Sequence, residues 1–205
     1  MFAVDVQGRI AAMNYVAAEI YARRPAREAI GLRLTDFLPG PAASERLELA
    51  RQVISTGEPI VLRDLWRGIA LRSTIRRVEN LPEAHGPAAM FIGCQENALL
   101  DESGGGGLGS DIRSVEAKHI DLGPLAGLTS SELKVLALIG EGLTNAEIAS
   151  RLHRAVKTVE SHRAALTEKT GSASRVQLGI MARRAGLSRR IGPSITNGDN
   201  LRVRA

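Results

Sequence analysis

The chain has 205 residues, of which 44% are apolar and 24% are charged, and its 27 Lys and Arg exceed its 22 Asp and Glu. This balance predicts one large or two small globular domains, and it excludes collagen-like, coiled-coil and wholly disordered chains. With only 3% aromatic residues and one cysteine, the sequence also disfavours single-strand binding by base stacking and excludes an internal disulfide or a Cys-rich metal site.

The first half of the chain predicts one antiparallel sheet with its helices on one face. Five short runs of apolar and β-branched residues are bounded by turn signals, as strands are. The predicted strands are 2–6, 9–13, 60–66, 70–78 and 88–94. Asn14 caps a helix after the first hairpin, and a longer helix over 42–56 ends at the terminator Gly57. The order of a hairpin, several helices and three further strands predicts that the helices pack on one face of a single sheet.

Several motifs in this half resemble the front of a PAS sensor domain. They are Val4-Asp5-Val6-Gln7-Gly8-Arg9-Ile10, Met13-Asn14, Ala17-Ala18-Glu19, and Ile30-Gly31 before Leu34-Thr35-Asp36-Phe37-Leu38-Pro39. The resemblance covers about residues 1–98 and implies a sensor or interaction domain. The helix over 42–56 contains no histidine, and His85 falls in a predicted loop, which disfavours haem. Cys94 ends the last strand, as a small hydrophobic residue rather than a flavin-reactive thiol.

We therefore expect no cofactor in the PAS-like domain. Either a small apolar ligand or a partner protein remains as its signal, and we favour the partner protein.

A linker and connector follow over 99–124, because residues 101–110 read DESGGGGLGS and four consecutive glycines cannot pack. The last residues, 188–205, lack any sustained period and predict a disordered tail.

Positive charge is concentrated in the second half. Residues 125–190 contain 11 basic and five acidic side chains, whereas residues 1–124 contain 14 basic and 16 acidic side chains. A basic segment joined to a slightly acidic one is typical of a nucleic-acid-binding module attached to a domain with another task, although a solvated basic surface would look the same.

Four helices are predicted over 125–187. Thr129 with Glu132, and Thr144 with Glu147, form two capping boxes that begin the first two helices. The second helix ends near Leu152, and a four-residue turn leads into a third helix over 157–169. So short a turn makes these two helices cross steeply, as in a helix-turn-helix motif that sets its second helix in a DNA major groove. A last helix covers 175–185.

The motifs of this half closely resemble the LuxR/FixJ-type DNA-binding domain of bacterial transcription regulators. They run from Leu128-Thr-Ser-Ser-Glu132 through Gly-Leu-Thr-Asn145-Ala-Glu-Ile-Ala149 and Lys157-Thr158-Val159-Glu160-Ser161-His162-Arg163 to Lys169-Thr-Gly171. Coverage is about residues 125–187 without a gap. Ser131, Arg154 and Thr170 depart from the residues that are usual in the family, and these changes affect one charge and the packing around the turn.

The third predicted helix has a packing face and a groove face. Val159, His162 and Leu166 share the packing face, where His162 is structural rather than catalytic or metal-binding. We expect three residues of the groove face to contact bases: Glu160, Ser161 and Ala164. Glu160 can accept from a cytosine amino group, Ser161 can donate or accept, and Ala164 can touch a thymine methyl group. The family resemblance implies the same three positions.

Further basic and polar residues of this helix are predicted to hold phosphates. They are Lys157, Thr158, Arg163 and Lys169, with Arg151 and Arg154 as weaker candidates. The resemblance also implies that the last helix pairs with its twin in a homodimer, through an apolar side composed of Leu178, Met181, Ala182 and Ala185. The alternative is a monomer that packs this side inward.

These features together predict a cytoplasmic, sequence-specific transcription regulator that binds double-stranded DNA as a homodimer and is modulated through its PAS-like domain. No apolar run approaches a membrane-spanning length, and the residues contain no phosphate-cradling loop, nucleophile elbow or zinc-protease motif. We therefore expect neither membrane contact nor enzymatic activity. The alternatives are a sigma-like module that joins RNA polymerase, and an adaptor that contacts partner proteins and binds DNA weakly and non-specifically.

Overall fold

The computed structural model describes residues 1–81, 86–95 and 112–187 of the chain, and the side chains of 94 and 95 are not among what it describes. The predictions made for His85, the Cys94 side chain, the glycine-rich segment and the tail after 187 lie outside the described residues. The described chain forms two compact units. The first contains the described residues of 1–64, 71–94 and 107–120, and the second contains those of 65–70, 95–106 and 121–205.

Six strands and seven helices are described. The strands are β1 (Phe2–Asp5), β2 (Ile10–Met13), β3 (Ile60–Trp66), β4 (Ile69–Val78), β5 (Ala88–Gln95) and β6 (Arg113–Glu116). The helices are α1 (Tyr15–Ala17), α2 (Ala26–Ala29), α3 (Gly40–Thr56), α4 (Ser130–Gly140), α5 (Asn145–Leu152), α6 (Val156–Thr170) and α7 (Arg175–Arg184). Helix α1 continues as a π-helical turn over Ala18–Ala22, and 3₁₀ turns cover Leu34–Asp36 and Gly123–Leu125.

The strands form one sheet in the order β2-β1-β5-β4-β3-β6. Strand β1 pairs antiparallel with β2 and β5, and the register places Phe2 opposite Phe91, whose rings stack at 4.6 Å between centroids. Strand β6, however, pairs parallel with β3. The sheet is therefore mixed, which corrects the prediction of a purely antiparallel sheet. The run Arg113-Ser114-Val115-Glu116 lacks apolar alternation, because an edge strand with exposed side chains needs none.

The segment after β6 is attached to helix α3. The Glu45 carboxylate accepts hydrogen bonds from the backbone amides of Lys118 at 2.8 Å and His119 at 3.2 Å. The amide of Ala117 donates to the carbonyl oxygen of Arg63 at 2.8 Å, which extends the pairing beyond β6. Residues 113–119, which the sequence assigned to the connector, thus belong to the first unit.

A charged pair lies inside the core of the first unit. Arg46 of α3 is 1% exposed, and its guanidinium donates to the Asp64 carboxylate of β3. The same guanidinium donates to the carbonyl oxygen of Ala42 at 3.0 Å and lies 3.8 Å from the Glu45 carboxylate. Val53 and Ile75, in the same core, are fully buried. Removal of Asp64 would leave the buried guanidinium beside the more distant Glu45 carboxylate.

The second unit contains the four predicted C-terminal helices together with the β3–β4 turn. Both capping boxes are confirmed, because Thr129 with Glu132 and Thr144 with Glu147 exchange the expected hydrogen bonds. The β3–β4 turn contacts the segment that precedes α4: the amide of Gly68 donates to the carbonyl oxygen of Asp121 at 3.0 Å. At Gly123, which has a φ of 51°, a Cβ atom would lie 2.6 Å from the carbonyl carbon of Arg67.

Candidate DNA-binding surface

Helices α5 and α6 form a helix-turn-helix arrangement within the second unit. Helix α5 begins at the Thr144 cap and ends at His153, which adopts the left-handed conformation with a φ of 51°. Helix α6 then begins at residue 156, after a turn of three residues. Ile148 of α5 and Val159 and Leu166 of α6 are buried at 0 to 1% exposure. These apolar side chains hold the two helices against the rest of the unit.

The three predicted base-contacting side chains share an exposed surface. Glu160, Ser161 and Ala164 are all exposed, whereas His162 is half-buried beside the packing face. The Ser161 hydroxyl donates to the carbonyl oxygen of Lys157 at 3.1 Å, within its own helix. The structure thus brings the predicted readers together on the outer face of α6. Their contact with bases stays a prediction.

The predicted phosphate-contacting residues divide into two groups. Lys157 and Thr158 are exposed in the first turn of α6, and Arg163 is half-buried further along. Among the residues that the structure describes, Lys157 makes no ion pair, so its charge is available to a ligand. Of the weaker candidates, Arg151 lies 3.9 Å from the Glu141 carboxylate. The first turn of α6 is therefore the most accessible positive part of the helix.

Lys169 is engaged within the protein. Its ammonium group lies 2.8 Å from each oxygen of the Glu132 carboxylate, which belongs to the first turn of α4. The Glu132 side chain is only 6% exposed, and its Oε2 atom also accepts from the amide of Thr129 at 2.7 Å. The prediction that Lys169 holds a phosphate did not foresee this pairing, because residues 37 positions apart give no local sequence signal.

The environment of Glu132 shifts its ionisation. Burial acts to raise the pKa of this carboxyl, but the hydrogen bonds from Lys169 and Thr129 outweigh burial and hold the pKa below its usual value. Glu132 is therefore a carboxylate at neutral pH. Since its folded pKa is lowered, the stability that the pair contributes is lost as the pH falls through that value.

Helix α7 buries most of the side predicted to form the dimer. Leu178 and Ala182 are 0% exposed and Ala185 is 2% exposed, because they fill the core of the unit against α4, and Met181 is half-buried. The apolar side chains that α7 leaves at the surface are Val176, at 69% exposure, and Ile180, at 40%. The apolar stripe of an isolated amphipathic helix does not reveal whether a core or a partner covers it.

Arg175, which the sequence analysis did not single out, fastens the start of the helix-turn-helix. From the first position of α7, its guanidinium donates to the carbonyl oxygen of Leu143 and to Asn145 Oδ1, the latter at 3.2 Å. These acceptors flank the Thr144 cap of α5. A basic residue in the first turn of a helix interacts unfavourably with the helix dipole. This unfavourable position is the sequence signal that Arg175 has another structural role.

The described residues contain neither a membrane-spanning helix nor a metal-binding cluster. No helix in that part of the chain is long and apolar enough to span a bilayer. Within the same residues, no group of three or more His, Cys, Asp and Glu side chains could hold a metal ion.

The two halves of the chain match different families of known proteins. Residues 126–182 match the model of the luxR family of bacterial regulatory proteins, and residues 1–80 match a PAS fold. The DNA-binding transcriptional activator DevR/DosR of Mycobacterium tuberculosis is 27% identical over 192 residues, covering 87% of this chain and 82% of the relative. The transcriptional regulatory protein LiaR of Bacillus subtilis is 39% identical over 61 residues, covering 30% of this chain and 29% of the relative.

Solved structures of VqmA proteins also align with the chain. The Vibrio cholerae VqmA complex with ligand and DNA is 22% identical over 91% of this chain and 84% of its own, with a TM-score of 0.42. The phage VqmA–DPO complex is 19% identical over 91% of this chain and 83% of its own, with a TM-score of 0.43.

Proposed function

We propose that this LuxR-type bacterial transcription regulator with an N-terminal PAS-like domain binds a two-fold symmetric site in duplex DNA as a homodimer. The observation that carries the proposal is the exposed face of α6, where Glu160, Ser161 and Ala164 project away from the buried Val159 and Leu166. A face of short polar and small side chains suits close approach to base edges in a major groove. Since such a regulator acts on chromosomal DNA, its place of action is the bacterial cytoplasm.

Lys157, Thr158 and Arg163 support the same proposal as phosphate contacts. They fix the register of a recognition helix without carrying sequence information, so their loss weakens binding to all sequences about equally. Each phosphate contact that is lost flattens the dependence of binding on salt by about one unit of slope.

The test is selection of binding sites from a random duplex pool with the full chain at physiological salt. Enrichment of a symmetric site supports a dimeric, sequence-specific regulator. Glu160→Ala should then relax the preference at one position in each half-site, at a cost of about 1–3 kcal/mol for the preferred sequence. If the full chain enriches no sequence, it acts through RNA polymerase or another partner protein and binds DNA non-specifically.

For the dimer we propose the exposed face of α7 as the contact. Val176 and Ile180 are one helical turn apart and exposed, and Met181 borders them. An interface around a two-fold axis places the same patch on both subunits, so a charge introduced there opposes itself. We expect Ile180→Glu to shift the full chain towards monomer in sedimentation experiments, whereas Ser150→Glu, at an exposed position of α5, should leave the mass unchanged. An unshifted Ile180→Glu would assign the dimer contact to another surface.

We propose that the PAS-like domain modulates DNA binding. The sequence leaves a partner protein and a small apolar ligand as its signal. Thermal unfolding of the full chain with and without a candidate ligand separates the two, because a ligand that binds only the folded state raises the midpoint.

A further inference from the structure

We infer that Lys169 is a positioning residue of the recognition helix, which orients α6 through Glu132 and does not hold a DNA phosphate. This inference rests on the proposed function, because it assigns a role within the same DNA-binding surface. Its test is nevertheless designed to succeed or fail separately from the proposal of sequence-specific binding.

The Glu132 carboxylate engages the charge of Lys169. Both oxygens of Glu132 lie 2.8 Å from the ammonium nitrogen. The Glu132 side chain is 6% exposed, whereas that of Lys169 is 38% exposed, so the carboxylate sits in the protein and the lysine covers it. A contact between Lys169 and a phosphate would compete with a short, partly buried ion pair, and removal of the lysine would leave that carboxylate without its counter-charge.

Lys169 projects away from the groove face of α6. At about 100° of rotation per residue of an α-helix, Lys169 lies about 180° from Glu160 and about 20° from His162. His162 is half-buried beside the packing face, and Glu160 is exposed on the groove face. By the same geometry, Lys157 lies about 60° from Glu160 and shares the groove side. The two lysines of α6 thus lie about 120° apart, with Lys157 on the groove side and Lys169 opposite Glu160.

Helix α6 needs a directional contact at this end. The buried side chains of the helix, Val159 and Leu166, are apolar, and apolar packing, which is non-directional, fixes the rotation of a helix about its axis only coarsely. The first turn begins at Ala155, which offers no side-chain cap. The pair between Lys169 and Glu132 ties the last turn of α6 to the capped first turn of α4. It therefore sets the angle at which the groove face meets DNA.

The experiment compares Lys169→Met with the matched control Lys157→Met in the full chain. Binding is measured over a range of salt concentrations, to the duplex enriched by selection and to a scrambled duplex of equal length. For Lys157→Met we expect the salt slope to fall by about one unit with both duplexes. For Lys169→Met we expect an unchanged slope and a loss of about tenfold in the ratio of specific to non-specific affinity, comparable to one mismatched base pair.

Coupling to Glu132 separates positioning from a general structural effect. Glu132→Gln keeps an acceptor for the Thr129 amide but removes the charge. If Lys169 acts through Glu132, the double variant with Lys169→Met loses no more specificity than either single variant. Lys169→Arg, which keeps the pair, should retain at least half of the wild-type specificity ratio and provides a folded comparison.

A second measurement needs no specific DNA site. Amide hydrogen exchange over 166–170 in the free protein should be about tenfold faster in Lys169→Met and Glu132→Gln than in wild type, and unchanged in Lys157→Met. If the full chain enriches no duplex, the proposed function fails, while exchange and the salt slope on the scrambled duplex still decide this inference. A salt slope that falls by one unit in Lys169→Met, or exchange that stays unchanged, overturns it.

Discussion

Inside the PAS-like fold, Arg46 is a buried charged residue that the local sequence pattern does not predict. Arg46 lies on a helix that the sequence predicts, yet it is 1% exposed because Asp64 and the carbonyl oxygen of Ala42 accept hydrogen bonds from its guanidinium. A sequence read one helix at a time assigns an arginine to solvent, since its partner lies 18 residues away on a strand. Long-range pairs of this kind, like that of Lys169 with Glu132, are the residues that sequence patterns do not reveal.

A test at this scale is Asp64→Ala, which should destabilise the protein by about 3–5 kcal/mol, because it removes the carboxylate that accepts a hydrogen bond from the buried Arg46 guanidinium and leaves the more distant Glu45 carboxylate, 3.8 Å away. The double variant Arg46→Met with Asp64→Leu removes both charges and should cost less than the single variant. Urea unfolding followed by the fluorescence of Trp66, the one tryptophan of the chain and 2% exposed, provides the measurement. Equal costs in the two variants would mean that Glu45 or solvent compensates Arg46.

At the scale of elements, the helices were predicted well and one strand was missed. The capping boxes fixed the starts of α4 and α5, and the glycine at 171 marked the end of α6, because these signals act within a few residues. The exposed readers on α6 followed from its 3.6-residue period. Strand β6 was missed because its pairing with β3 joins residues 53 positions apart along the chain, such as Ile60 and Arg113, and such contacts leave no local pattern.

Helix α6 offers a second test, because it begins without a side-chain cap. Ala155 stands at the cap position with the extended φ of −71° and ψ of 146° that a capping serine adopts. Ala155→Ser should therefore stabilise the protein by about 0.5–2 kcal/mol, by accepting a hydrogen bond from a free amide of the first turn. Ala164→Ser, on the exposed middle of the same helix, should be neutral or slightly destabilising. Equal effects on the free energy of unfolding would show that the first turn is already satisfied.

At the scale of the whole molecule, the sequence predicted two kinds of structure in the correct order but misplaced the elements that lie between them. Residues 113–119 belong to the sheet and to Glu45, and the β3–β4 turn belongs to the same compact unit as the helices. Both assignments depend on backbone approaches between distant segments. The close passage of Gly123 against Arg67 is one of these, since no side chain could be accommodated there.

Gly123→Ala tests that passage. Its new Cβ atom would lie 2.6 to 2.9 Å from the backbone of Arg67, on a residue with a φ of 51°, so the turn or the segment must move. We expect a loss of about 1–3 kcal/mol in unfolding followed by Trp66 fluorescence. Gly127→Ala is the matched control, because nothing lies within 4 Å of its added Cβ atom. A loss of the same size in both variants would show that the close passage of Gly123 against Arg67 is not its cause.

The parallel pairing of β6 with β3 also means that the glycine-rich run is not a safe place to divide the gene. Cutting there would leave the apolar strand 60–66 with a bare edge on one fragment and the strand that covers it on the other. When the two pieces are co-expressed, we expect them to associate as a split protein through the four residue pairs between β3 and β6. Expressed alone, the first piece should aggregate, and a fragment that retains 113–120 should not.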